Sequence, residues 1–218
     1  MFGLVHRHLD PSESLLEILF GLIMALTMTA GARLLALPHE VDRLELAIGL
    51  LGCNVAWGVI DAVFYVLGSV FNRNRRVRFT RRLQAASDAE ALTLIREEFD
   101  LEDEPPAPEA AQAAMHASLL SFFRHASPRP ARITRKELAA AAIVLVLVVL
   151  TAVPGLVPLL TLPSVELGLR AANALQVLLL LAIGYRWARY TGSPGWRGAL
   201  IVGGLGVGLV LVAVALGG

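Results

Sequence analysis

Apolar residues dominate five stretches of this chain, two before and three after a charged middle segment. A helix that crosses a bilayer needs about 20 largely apolar residues. The pattern predicts helices near Ser14 to Leu37, near Leu44 to Phe71, from Leu138 to about Leu160, near Glu166 to Tyr190, and from Gly198 to the end. The expected fold is all-α: a polytopic membrane protein with five transmembrane helices and a small helical cytosolic insert between the second and third. The chain then divides into residues 1–71, 72–136 and 137–218.

Within the insert, helical signals alternate with breakers. The second helix is expected to continue through the arginines that follow Phe71. Ser87-Asp88-Ala89-Glu90 reads as a capping box that opens a short helix with Leu94, Ile95 and Phe99 on its apolar face. Pro105-Pro106 breaks that helix. Pro108 can open another, on which Met115, Leu119, Phe122 and Phe123 recur at helical spacing. So short and polar a segment has little core of its own and is expected to pack on a partner or on its own copy.

Charge sets the orientation. Arginines follow the second helix (Arg73, Arg75, Arg76, Arg78, Arg81, Arg82), precede the third (Arg124, Arg129, Arg132, Arg135, with Lys136) and surround the turn between the fourth and fifth (Arg186, Arg189, Arg197). With five spans all three groups fall on one side, which the positive-inside rule assigns to the cytosol. The N-terminus is then cytosolic, and a bacterial inner membrane is the expected location. Across 218 residues the composition agrees, with 56% hydrophobic and 17% charged residues. Acidic Glu13 and Glu17 speak against a cleaved leader ending near Ala30-Gly31-Ala32. The single cysteine, Cys53, excludes an intrachain disulfide and any Cys-based metal site.

An ionisable residue within a span is costly and marks a pathway by default. Glu17 in the first stretch and Asp61 in the second meet that description. On the second helix Asn54, Gly58, Asp61, Tyr65 and Gly68 follow a spacing of four, three, four, three, which keeps them on one face. Glu17, Gly21, Met24, Met28 and Gly31 repeat that spacing on the first helix. The expectation is that glycines let these two helices approach, with the carboxylates, the amide and the thioethers lining the seam. Oxygen ligands suit hard divalent ions such as Mn²⁺, and thioethers tolerate softer Fe²⁺. The expected path is Glu17, Met24, Met28, Asn54, Asp61 and Tyr65. The structural alternative pairs Asp61 with Arg170 or bonds it to Asn173. In the insert, the acidic run Glu90, Glu97, Glu98 and Glu102 is either a loose site for a hard cation or a solvated face. No Ser/His/Asp or Cys/His arrangement, paired zinc motif or phosphate loop occurs. Neither an enzyme, nor a permanently bound cofactor, nor a nucleic-acid partner is expected.

The layout of two spans, a helical insert and three spans resembles the vacuolar iron transporter family. The textual likeness lies in Ala182-Ile183-Gly184, Tyr190-Thr191-Gly192-Ser193, Trp196 and the glycine-rich last helix. The resemblance implies a homodimer whose first helices line an ion path, moving Fe²⁺ or Mn²⁺ out of the cytosol in exchange for protons. It further implies path residues among Met24, Met28 and the intramembrane acids, with Glu90, Glu97 and Glu98 gathering metal. Where that family carries Asn-Asp-Gly in its first helix, this chain reads Phe20-Gly21-Leu22-Ile23-Met24-Ala25-Leu26-Thr27. Where its second helix carries Gly-Glu-Tyr, this chain has Gly58-Val59-Ile60-Asp61, with Tyr65 a turn later. Glu17 and Asp61 are the candidate replacements. The competing reading is a non-transporting membrane scaffold or regulator whose insert binds a partner.

Overall fold

A computed structural model describes residues 9, 11–35, 42–99, 108–130 and 132–215. Among them the fold is all-helical, with no strand. The helices are α1 (Pro11–Leu35), α2 (Arg43–Ala85), α3 (Asp88–Glu98), α4 (Glu109–His125), α5 (Arg135–Leu150), α6 (Val153–Thr161), α7 (Val165–Tyr190) and α8 (Gly195–Ala215). Four segments are long and apolar enough to cross a membrane: 11–32, 43–85, the α5–α6 pair over 135–161, and 165–190. In each, no more than 33% of the most apolar stretch is buried within the chain. Phe20, Phe64, Leu178 and Ile201 stand on the outside, an apolar surface that water would not tolerate and hydrocarbon accepts. These features fit an integral membrane protein. The Pro105-Pro106 break lies outside the described residues.

Two compact units partition the chain, 1–66 with 135–218, and 67–134; the continuous 43-residue helix α2 contributes to both. In the first unit, α1 buries Leu19, Leu22 and Leu26 against Leu180 of α7, with Val177, Ile183 and Val202 around them. Ala25 meets Leu50 of α2 and Ala152. Ala47 of α2 meets Leu159 of α6 and Leu169 of α7. Small residues recur where helices come closest, because packing rather than water drives association in lipid. A side chain at Gly184 of α7 would collide with the backbone carbonyl of Gly198 on α8, and one at Gly198 with that of Gly184. The turn between these helices is closed by Gly192 at φ +72°, with the Ser193 N–H donating to the Ala188 carbonyl at 2.9 Å. Only glycine adopts that left-handed cap without strain.

The second unit has its own small core: Leu83, Ala91 and Ile95, with Phe79, Leu119, Leu120 and Phe123 packed against them. Phe79 and Phe123 meet edge to face at 5.5 Å. Phe122 points outward, 66% exposed, although its spacing places it beside Phe123. Arg124 of α4 closes the end of α2, donating to the carbonyls of Leu83 (2.7 Å), Gln84 (3.0 Å) and Ala86 (2.7 Å) and to Asp88 (2.8 Å). These carbonyls lack intrahelical donors, and a cation beside them also complements the helix dipole.

At the start of α3 the capping box is present: the Glu90 N–H donates to Ser87 Oγ, and the Glu90 carboxylate accepts from the Ser87 N–H at 3.0 Å. Those bonds favour the charged form and hold the Glu90 carboxyl below its ordinary value. Stability from such a lowered group is present above its unfolded value and lost as pH falls through the folded one. The hydrogen-exchange protection factors at the first turn of α3 should therefore hold from neutral pH down through the ordinary carboxylate range and fall only below it. Replacing Gly184 by Leu should cost about 1–3 kcal/mol by overpacking, lowering Tm in detergent by roughly 3–10 °C. Gly204→Leu, where nothing lies within 4 Å, should leave Tm nearly unchanged.

Candidate functional site

Helix α1 buries its i,i+4 row rather than the straight stripe of its sequence. Along that row Glu17, Gly21, Ala25 and Thr29 succeed one another; Gly21, Ala25 and Thr29 are buried and Glu17 is half-buried. Such a row is inclined to the helix axis, so it turns steadily away from a four-three-four-three line. Met24 is accordingly half-buried, and Met28, 39% exposed, lies on the outside of the chain. The glycines also meet a different partner from the one expected. A side chain at Gly21 would collide with Thr151, and one at Gly58 of α2 with Leu145 of α5. The third span receives both glycines, and they do not pack on each other.

The row passes three polar levels. At the first, Glu17 faces Asp61 of α2 closely enough for the two carboxylates to interact, with Glu13 contributing from one turn earlier on α1. Oε2 of Glu17 is buried without a hydrogen-bond partner. The arginine and the amide offered as structural partners for Asp61 are engaged elsewhere. Arg170 pairs with Glu166 four residues before it, and the carboxamide oxygen of Asn173 accepts from Thr29. Tyr65, one turn beyond Asp61, packs against Leu9, Ala140 and Val144.

At the second level the third span breaks. Helix α5 ends at Leu150 and α6 starts at Val153. Pro154 has no N–H to offer the Leu150 carbonyl. Gly155 and Leu156 both donate to Ala152, at 3.0 and 2.9 Å, which leaves the Thr151 carbonyl outside the ladder. Asn54 of α2, fully buried, fastens the break: its Nδ2 donates to the Val148 carbonyl and to Thr151 Oγ1, each at 3.0 Å. The Thr151 hydroxyl donates to Val148 at 2.6 Å. Among the described residues Oδ1 of Asn54 has no partner.

The third level centres on Thr29. Its hydroxyl lies 2.6 Å from Asn173 Oδ1, 3.0 Å from Gln176 Oε1, 2.9 Å from the Ala25 carbonyl and 3.1 Å from that of Leu26. One hydrogen serves four acceptors. Gln176 is fully buried and its Nε2 is unpartnered; a side chain at Gly155 would sit 2.8 Å from it. Thr29 and Thr151, with Glu137 buried at the start of α5, are buried polar residues outside the expected path, whereas the spacing of Arg170, Asn173 and Gln176 already places those three on one face of α7. For Glu137 the signal is its spacing to Ala140, Ala141 and Val144, all on one buried face. For Thr151 it is the Pro-Gly pair three residues on, inside an otherwise unbroken apolar run.

The acids of the second unit do not converge. Glu90 is held in its capping box, and Glu98 pairs with Arg75 at 2.6 Å. Glu97 is exposed, and Glu102 lies outside the described residues. Glu90 and Glu97 stand two turns apart, about 10 Å along α3, too far to share an ion. Among the described residues, no group of three or more His, Cys, Asp or Glu side chains is placed to hold a metal ion. No protein-family model matches the chain, and no curated protein sequence matches it.

A buried hydroxyl at the centre of so many acceptors carries a measurable share of stability. Thr29→Val should strand the oxygens of Asn173 and Gln176 and cost about 1–3 kcal/mol, read as a lower Tm in detergent. Thr29→Ser should restore most of the loss.

Proposed function

We propose that this protein carries a hard divalent cation, Mn²⁺ or Fe²⁺, across the membrane, with protons exchanged at Glu17 and Asp61. The observation that supports the proposal is the pair itself: Glu17 and Asp61 lie within electrostatic range of each other in the spans, Glu17 has an unpartnered buried oxygen, and among the described residues no guanidinium pairs with either. In a medium of low dielectric such a pair needs a cation or protons to balance it, and exchange between the two is the chemistry of antiport. Beyond the pair, oxygen-bearing side chains continue at Asn54 and Thr151 and then at Thr29, Asn173 and Gln176, a succession of polar stations through an apolar bundle.

In this reading α8 completes five spans, the segment between the second and third is cytosolic with the N-terminus on the same side, and the membrane is a bacterial inner one. A second copy covers the outward face of α1, where Met28 and Gly31 stand uncovered within one chain. The arrangement is the one implied by likeness to vacuolar iron transporters, with Glu17 and Asp61 in place of that family's acids. The rival, a membrane scaffold, draws support from the outward Phe122 beside Phe99, Phe123, Arg75 and Arg76, which line one groove of the second unit.

Purified protein in proteoliposomes with an imposed pH gradient should take up Mn²⁺ or Fe²⁺. Asp61→Asn and Glu17→Gln should each reduce uptake by more than about tenfold, as expected for ionisable groups on a path. Absence of uptake, under conditions where a control transporter works, would remove the transport reading and leave the scaffold.

A further inference from the structure

We infer that the break in the third span is a second cation-binding stop, built from neutral oxygens and separate from the carboxylate pair. The inference rests on the transport reading and extends it. Thr151 stands ten residues before Thr161, the end of its span, so the break lies about 15 Å from that end, inside the hydrocarbon. Backbone carbonyls released at such depth are tolerated only where they are buried in protein or line a polar cavity. Here Pro154 deprives Leu150 of its donor, and the bonds from Gly155 and Leu156 to Ala152 bypass Thr151. Unwound carbonyls in discontinuous membrane helices are a recurrent way to coordinate a cation at mid-depth.

An independent observation points to the same place. Asn54 is fully buried and fixed to the break by both bonds of its Nδ2. Because Nδ2 must face the Val148 carbonyl, the orientation of the amide is determined, and the atom left without a partner is an oxygen, Oδ1. A buried acceptor with no donor lowers stability. That cost is retained where a cation or another donor meets the oxygen during function. Gly21 lets α1 close over this turn, since any side chain there would run into Thr151.

Neutral oxygens grip a hard cation more weakly than carboxylates do, and weak binding suits a stop that the ion must also leave. The ligand class is a hard, largely dehydrated cation, met by Asn54 Oδ1 and the carbonyls released at the break. Glu17 and Asp61 belong to the preceding level. The two stops should therefore respond to different substitutions.

The test is Mn²⁺ titration of the full-length protein in detergent, following free Mn²⁺ by electron paramagnetic resonance. The wild type should show a tight class and a weaker class of bound Mn²⁺. Glu17→Gln with Asp61→Asn should remove the tight class alone. Asn54→Leu should remove the weak class alone. Pro154→Ala restores an N–H to the Leu150 carbonyl without touching any side-chain ligand, and should weaken the second class at least fivefold, which keeps the test sound if Asn54→Leu does not fold. A weak class that survives both Asn54→Leu and Pro154→Ala, or a wild type with the tight class only, overturns the second stop and leaves the carboxylate site standing. A weak class without the tight one overturns the carboxylate reading instead. No bound Mn²⁺ at all overturns both.

Discussion

In a hydrocarbon surrounding, every backbone and side-chain dipole must find its partner inside the protein, and this requirement organises the first unit. Straight helices meet it without help. The third span does not, because Pro154 interrupts its ladder. Helix α2 braces the interruption, its Asn54 donating to the Val148 carbonyl and to Thr151 Oγ1, and α1 brings bare Gly21 against Thr151. Three spans thus meet at one interrupted turn. The same contact fixes the register between α1 and α2: Ala25 lies level with Leu50, Gly21 with Asn54 through Thr151, and Glu17 with Asp61. The carboxylates face each other because the break is where it is.

Polar groups left over from this arrangement are not scattered. In the first unit Glu17 Oε2, Asn54 Oδ1 and Gln176 Nε2, from three helices, lie at successive levels beside the buried row of α1, although a packed apolar bundle is free to do without all three residues; His116 Nε2 is a further such atom, in the second unit. Burial of an unpartnered polar atom lowers stability, so its repetition along one line marks a functional constraint better than any one residue does. The distribution also separates the two units. In the second, acids and arginines serve caps and ion pairs, as Ser87 with Glu90, Arg75 with Glu98 and Arg124 with the end of α2 illustrate. In the first, Glu166 pairs with Arg170, while among the described residues no ion pair reaches Glu17 or Asp61.

Local rules were legible in the chain. The capping box at Ser87 and the helix opening after Pro108 are short-range chemistry, and both stand where the residue pattern places them. The inward face of α2, with Asn54 and Gly58 buried and Asp61 and Tyr65 half-buried, follows from periodicity alone. What periodicity does not carry is which helix meets which. Gly21 of α1 and Gly58 of α2 look made for each other, yet each takes a residue of α5 or of the break after it, and Gly31 and Gly68 meet nothing within 4 Å. A straight stripe and an inclined row differ by little over two turns and by a whole face over four, so Gly21 was correctly placed inward while Met28 was not. The break was the hardest feature to see, because Val and Leu fill the run from Leu138 to Leu160 so densely that Pro154 and Gly155 read as passengers within a single helix.

The hydroxyl of Thr29 adds a property that a static drawing of bonds hides. A hydroxyl has one hydrogen and two lone pairs, so it cannot donate to all four oxygens at once. Turning the Gln176 carboxamide over would bring its unpartnered Nε2 to the hydroxyl as a donor. The facing of the buried amides is thus decided at Thr29 by a count of hydrogens and not by the shape of the packing.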